Sequence, residues 1–169
     1  NSPVLAGPTQ YVASGAVVTG NDAVPVNSTN TSLTLTNEAT LTWQWATNYW
    51  LDMTAGPNGS VDVADGWVAA GSNVAIAATA SNHWHFTGWS GDTQGCVSAA
   101  NVITAAMTQA RAITANFAID PHTLTVVSAY GGAQPGTTTT NWGTALSCYL
   151  TNSPVLAGPT QYVASGAVV

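Results

Sequence analysis

An all-β fold is what this sequence predicts, and three observations predict it. Apolar and polar residues alternate at period two along several runs, with no sustained helical spacing. Val and Thr, which favour strands, dominate together with Gly and Asn, which favour turns. Gly-Pro, Asn-Gly and Asp-Gly pairs punctuate the runs at short intervals.

The clearest stretch runs from Tyr49 to Ala118. Leu51 and Met53 alternate with polar neighbours in a first strand, and Gly56-Pro57-Asn58-Gly59 turns the chain. Val61 and Val63 alternate in a second strand, which ends at the Asp65-Gly66 turn. Val74, Ile76 and Ala78 share one face of a third strand. His83 to Phe86 reads as a fourth, with Trp84 and Phe86 inward and both histidines outward. Ile113, Ala115 and Phe117 close the stretch on one face, separated by Thr114 and Asn116.

Residues 1–18, NSPVLAGPTQYVASGAVV, return letter for letter as residues 152–169. Such identity marks a window slightly longer than one period of a tandem array, the period being 151 residues. Within it two diverged modules are legible. Module B is intact over 49–119. Module A is split: 122–151 supplies its first part, and 1–48 of the following period supplies the rest, with 152–169 duplicating 1–18. LTVVSAYGG matches LDMTAGPNG, NWGTALS matches GWVAAGSNV, and QYVASG matches HFTGWSG. The predicted architecture is thus two small β-sandwich or β-grasp-like modules per period, one cut by the chain ends. Short linkers are expected near Thr47-Asn48 and Asp120-Pro121. Small modules bury little surface, so neighbour contacts should carry much of their stability.

Composition excludes whole classes of function. Only 5% of residues are charged, against about 25% in an ordinary soluble domain. Arg111 is the single base and the net charge is −6, so nothing here neutralises the phosphates of a nucleic acid or an anionic membrane surface. Seven Trp, five Tyr and many aliphatics supply cores and argue against disorder. No apolar run approaches the ~18 residues of a membrane-inserted helix. A chain starting at Asn1, with neither an initiator Met nor a signal segment, reads as an excerpt or a mature product.

Module B resembles the divergent internalin-B-type repeat, a β-module strung in tandem in bacterial surface and secreted proteins. The resemblance rests on LDMTAGPNGSV, GWVAAGSNVAIAATA, HFTGWSGDTQG and the closing ITANFA. Phe86-Thr-Gly-Trp-Ser-Gly-Asp92 is its most specific piece. Module A matches more weakly; relatives often carry Cys after its Tyr-Val, where Ala13 and Ala164 stand. The resemblance implies an extracellular or cell-surface location, a spacer or adhesive role without catalysis, and no cofactor.

Several residue groups are candidates for chemistry. Cys96 and Cys148 are too few for a structural zinc site, and in a secreted chain they would pair with each other, link neighbouring copies, or remain free thiols. Asp62, Asp65 and Asp92 are turn residues whose ordinary role is capping; gathered together, they would be weak ligands for Ca²⁺, which wants six to eight oxygens. His83 and His85 alternate on one strand without an evident third ligand. Glu38 is the only Glu, so the acid pair of a glycosidase is not apparent, and no nucleophile motif or phosphate-binding loop occurs. Asn27, Asn30 and Asn58 fit the N-glycosylation pattern. Trp43 and Trp45 share a face with Leu41 and read as core, whereas Trp50 and Trp89 are candidates for packing between modules or for surface display.

These readings converge on a structural unit of an extracellular fibre, filament or surface stalk, whose partners are copies of itself. The competing expectation is an adhesin-type module that recognises glycan or protein through exposed aromatics and loops.

Overall fold

The computed structural model of the chain describes residues 2–21 and 29–167. It is all-β, and the described residues contain no helix. The chain forms two compact units, residues 1–118 and 119–169. The first holds β1 (Val4–Ala6), β2 (Thr9–Thr19), β3 (Thr40–Ala55), β4 (Gly59–Val61), β5 (Gly66–Ala69), β6 (Asn73–Ala80), β7 (Trp84–Gly91), β8 (Val97–Ala99), β9 (Val102–Ala106) and β10 (Arg111–Ile119). The second holds β11 (Pro121–Thr125), β12 (Ala133–Gln134), β13 (Thr137–Asn141), β14 (Tyr149–Leu150), β15 (Val155–Ala157) and β16 (Thr160–Tyr162).

The period-two pattern places the first unit's core. Leu51 and Met53 on β3, Ile76 on β6, Ile103 and Ala105 on β9, and Ile113 on β10 are buried with Met107 in one cluster. Each large side chain removed from water in this way stabilises the fold by about 1.5–3 kcal/mol. Val61, Val63, Val74 and Trp89 pack around its margin. One sheet layer is built on β3 and β10, and the other runs in the order β4-β6-β9-β8.

β3 organises the first layer. It pairs in parallel with β10 from Leu51↔Arg111 to Ala55↔Ala115, and antiparallel with β2 and β5. Asn48 and Tyr49 each pair with both β2 and β5, and Leu51 pairs with both β5 and β10. A strand has only two lateral edges, so β2 and β10 follow one another along one edge and β5 lies on the other. Among the described residues, no strand pairs with that second edge from Thr40 to Ala46.

Two expectations need correction here. A linker was expected near Thr47-Asn48, but β3 runs unbroken from Thr40 to Ala55. Asn48 is a poor strand former, yet its side chain donates to Gln10 Oε1 at 3.0 Å across the β2–β3 pair, which holds it within the ladder. His83 was expected on a strand face with His85. It sits instead in the preceding turn at φ 66°, 2.8 Å from the Asn82 amide nitrogen.

In the second unit, β11 pairs with β13, β12 with β14, and β15 with β16, each as a two-stranded antiparallel sheet.

Candidate functional site

β3 presents one apolar stripe at every second residue: Leu41, Trp43, Trp45, then Tyr49, Leu51 and Met53. Its C-terminal half is sealed in the module B core. Its N-terminal half is covered less completely. Leu41 lies opposite Val18 and Trp43 opposite Ala16, and directly opposed residues of an antiparallel pair share a face. Val18 and Ala16 are buried, but Trp45 remains 48% exposed, which corrects its expected core position. A groove of about 510 Å³ opens there, lined by Ser2, Ala13, Thr29, Trp43 and Trp45.

The repeated 18-residue segment forms the same hairpin twice. Val4↔Tyr11, Leu5↔Gln10 and Ala6↔Thr9 in the first copy return as Val155↔Tyr162, Leu156↔Gln161 and Ala157↔Thr160 in the second. Gly7 and Gly158 open the two-residue loops at φ 59° and 61°, the glycine-favouring first position of a II′ hairpin. A serine hydroxyl anchors each copy: the Ala13 amide donates to Ser2 Oγ at 2.9 Å and the Ala164 amide to Ser153 Oγ at 3.2 Å.

The two copies face different neighbours. The first lies along β3. The second packs on the chain before it: Tyr162 stacks on Tyr130 with centroids 3.8 Å apart. A smaller groove of about 120 Å³ brings Ser128, Ala129 and Tyr130 beside Ser153, Tyr162 and Ala164.

Arg111 is a structural residue that sequence reasoning passed over. It is only 3% exposed and its guanidinium spans three carbonyls. Nε donates to Ala106 O at 2.8 Å, and Nη1 to Asp92 O at 2.7 Å and Gln94 O at 2.9 Å. The planar five-donor fork suits such a multi-point tie. Its parity with Ile113 and Ala115 was the signal that it points inward.

The candidate acids stand at separate posts. Asp62 accepts from the Ala77 amide at 2.7 Å, Asp65 from the Met53 amide at 2.6 Å, and Asp92 from the Ala112 amide at 3.0 Å. Each carboxylate thus fixes a turn to a strand. Among the described residues, no group of three or more His, Cys, Asp or Glu is placed to hold a metal ion. Cys96 is a half-buried free thiol and Cys148 an exposed one. Asn30 and Asn58 are exposed; Asn27 lies outside the described residues.

Trp50 and Trp89 do not form an exposed, coplanar pair. Trp50 meets Trp67 edge-on at 5.1 Å across the β3–β5 pair. Trp89 packs against the module B core and lies 5.3 Å from Phe86. No helix among the described residues is long and apolar enough to cross a membrane.

Comparison with known protein families agrees with this geometry. The family model of the divergent InlB B-repeat domain matches residues 49–121, from the C-terminal half of β3 to the start of β11. Over those residues the chain is similar to the divergent InlB B-repeat, a type of repeat domain associated with bacterial surfaces. Neither the curated proteins nor the solved structures yield a match.

Proposed function

We propose that the chain is a non-catalytic, load-bearing repeat of an extracellular bacterial array, a fibre, filament or stalk in which modules A and B alternate at the 151-residue period. The observation that carries this reading is the single strand β3. Its N-terminal half belongs to module A and its C-terminal half opens module B, with no linker between them. Tension entering module B arrives on β3 and leaves on β10, and these two strands lie side by side in parallel. Pulling them apart shears the ladder along its length, so its bonds share the load and do not open one at a time. The packing of Trp50 and Trp89 into their own unit favours this scaffold over an adhesin that displays them.

The native protein's mass under denaturing, reducing conditions tests the array. A species far above 17.1 kDa is expected, and one at that mass would overturn the continuous array.

A further inference from the structure

We infer that the open edge of β3, from Thr40 to Ala46, is the seat for the strand Pro121–Thr125 of the preceding repeat. The two strands run in parallel, with Ser128–Tyr130 of that repeat filling the groove beside Trp43 and Trp45 and the Tyr130 ring lying on Tyr11. This deepens the array reading by naming the contact that joins its repeats, and it rests on that reading.

Module B supplies the template. Its first strand, the C-terminal half of β3, has an antiparallel neighbour, β5, on one edge and its parallel last strand, β10, on the other. β10 in turn lies between β3 and β7. Module A contains the same parts, unjoined. β11 has its antiparallel neighbour β13 but no other partner strand among the described residues. The N-terminal half of β3 has β2, the counterpart of β7, and, among the described residues, no strand on its second edge. Putting β11 on that edge completes in A the arrangement already closed in B.

The equivalence of β2–β3 with β7–β10 is visible in the backbone. Gly20 directly follows β2 at φ 85°, and a Cβ there would strike Glu38 O and lie 3.2 Å from its carbonyl carbon and 3.3 Å from Ala39 Cα. Gly91 ends β7 at φ 91°, and its Cβ would strike Ala112 O and lie 3.2 Å from that carbonyl carbon and 3.4 Å from Ile113 Cα. The two strand pairs share one closure.

The repeated hairpin fixes where the incoming segment lies. In its second copy, Ser128–Tyr130 sit against Ser153, Tyr162 and Ala164. The first-copy counterparts are Ser2, Tyr11 and Ala13. Ser2 and Ala13 line the wider groove with Thr29, Trp43 and Trp45, and Tyr11 is 39% exposed. The occupant seen on one copy is thus the piece the other copy lacks. An edge left unpaired among the described residues, beside an open groove, is a ready template for strand addition.

Hydrogen–deuterium exchange of the peptide 40–46 tests the inference, in the 169-residue chain and in a chain of two consecutive periods. The single-period chain should give one population whose outward amides exchange fast. The two-period chain should give two populations of equal size, one fast and one protected, because only its internal copy has a preceding repeat. Tyr130→Ala should abolish the protected population and Tyr130→Phe should retain it, with the peptide 103–107 reporting that module B is folded in every variant. One fast population in both chains overturns the strand pairing even where native material proves to be a covalent array. Protection that survives Tyr130→Ala overturns the seating on Tyr11. Protection in the two-period chain with native protein at 17.1 kDa supports the pairing and overturns only the continuous array.

Discussion

Tyr130 and Tyr162 stack nearly face to face, 3.8 Å between centroids with planes 10° apart. The identical tyrosine 151 residues earlier, Tyr11, has no stacked ring partner among the described residues and stands 39% exposed. The segments themselves are the same; Tyr162 differs in having the Tyr130 ring beside it.

The stack is sensitive to alkali. A hydrogen bond that the Tyr130 hydroxyl donates to the Tyr162 side chain holds the Tyr130 phenol above its ordinary value of 10.0, and desolvation adds to the rise. A raised acid pKa favours the neutral form in the folded state, so this contribution is complete below pH 10.0 and is lost as pH climbs through the higher folded value. Near-ultraviolet titration should show a tyrosinate that forms late, and Tyr162→Phe should move it to lower pH by removing the principal cause.

Arg111→Met should cost module B about 3 kcal/mol or more, because three carbonyls lose their donor at about 1–3 kcal/mol each. Arg111→Lys should recover little, since one ammonium cannot reproduce the planar fork across Ala106, Asp92 and Gln94. Thermal unfolding of both variants checks this. Recovery of full stability by Lys would mean that charge alone, not the fork, holds the loop.

Gly91→Ala and Gly20→Ala should destabilise by similar amounts. Each combines a positive φ, which costs a non-glycine residue about 1–3 kcal/mol, with a backbone carbonyl lying where the Cβ must go. Denaturant midpoints measure the effect. A neutral Gly20→Ala would remove one support for equating the two strand pairs.

Under force along the chain, module B should resist as a unit and then fail abruptly as β3 slides past β10. Thr54→Pro removes an amide donor from the middle of the paired stretch 51–55 and should lower the unfolding force in single-molecule pulling. Thr79→Pro on β6, away from the β3–β10 pair, should lower thermal stability with a smaller effect on that force. Equal loss of force from both would mean that load does not run through β3 and β10.

The module B core was legible in sequence because burial on a sheet follows parity: Leu51, Met53, Ile76, Ala78, Ile113 and Ala115 all face inward as their alternation requires. Arg111 has the same parity but was not foreseen as buried, because a charge is costly inside unless partners meet it, and those partners are backbone carbonyls from Asp92 to Ala106 that no local pattern brings together. Trp45 was misplaced for the converse reason. Its parity is that of a core residue, but in this chain nothing described fully covers that end of β3.

The repeated segment separates the two levels of determination. Its sequence alone sets the hairpin: a Gly-Pro loop, three paired positions and a serine hydroxyl on a backbone amide, identical in both copies. How far the strand continues is decided elsewhere. In the first copy β2 extends from Thr9 to Thr19 because β3 lies alongside to receive its hydrogen bonds. In the second, residues 163–167 lie outside strand geometry after Tyr162. A turn closes on its own neighbours, whereas a strand exists only where another backbone satisfies its edge.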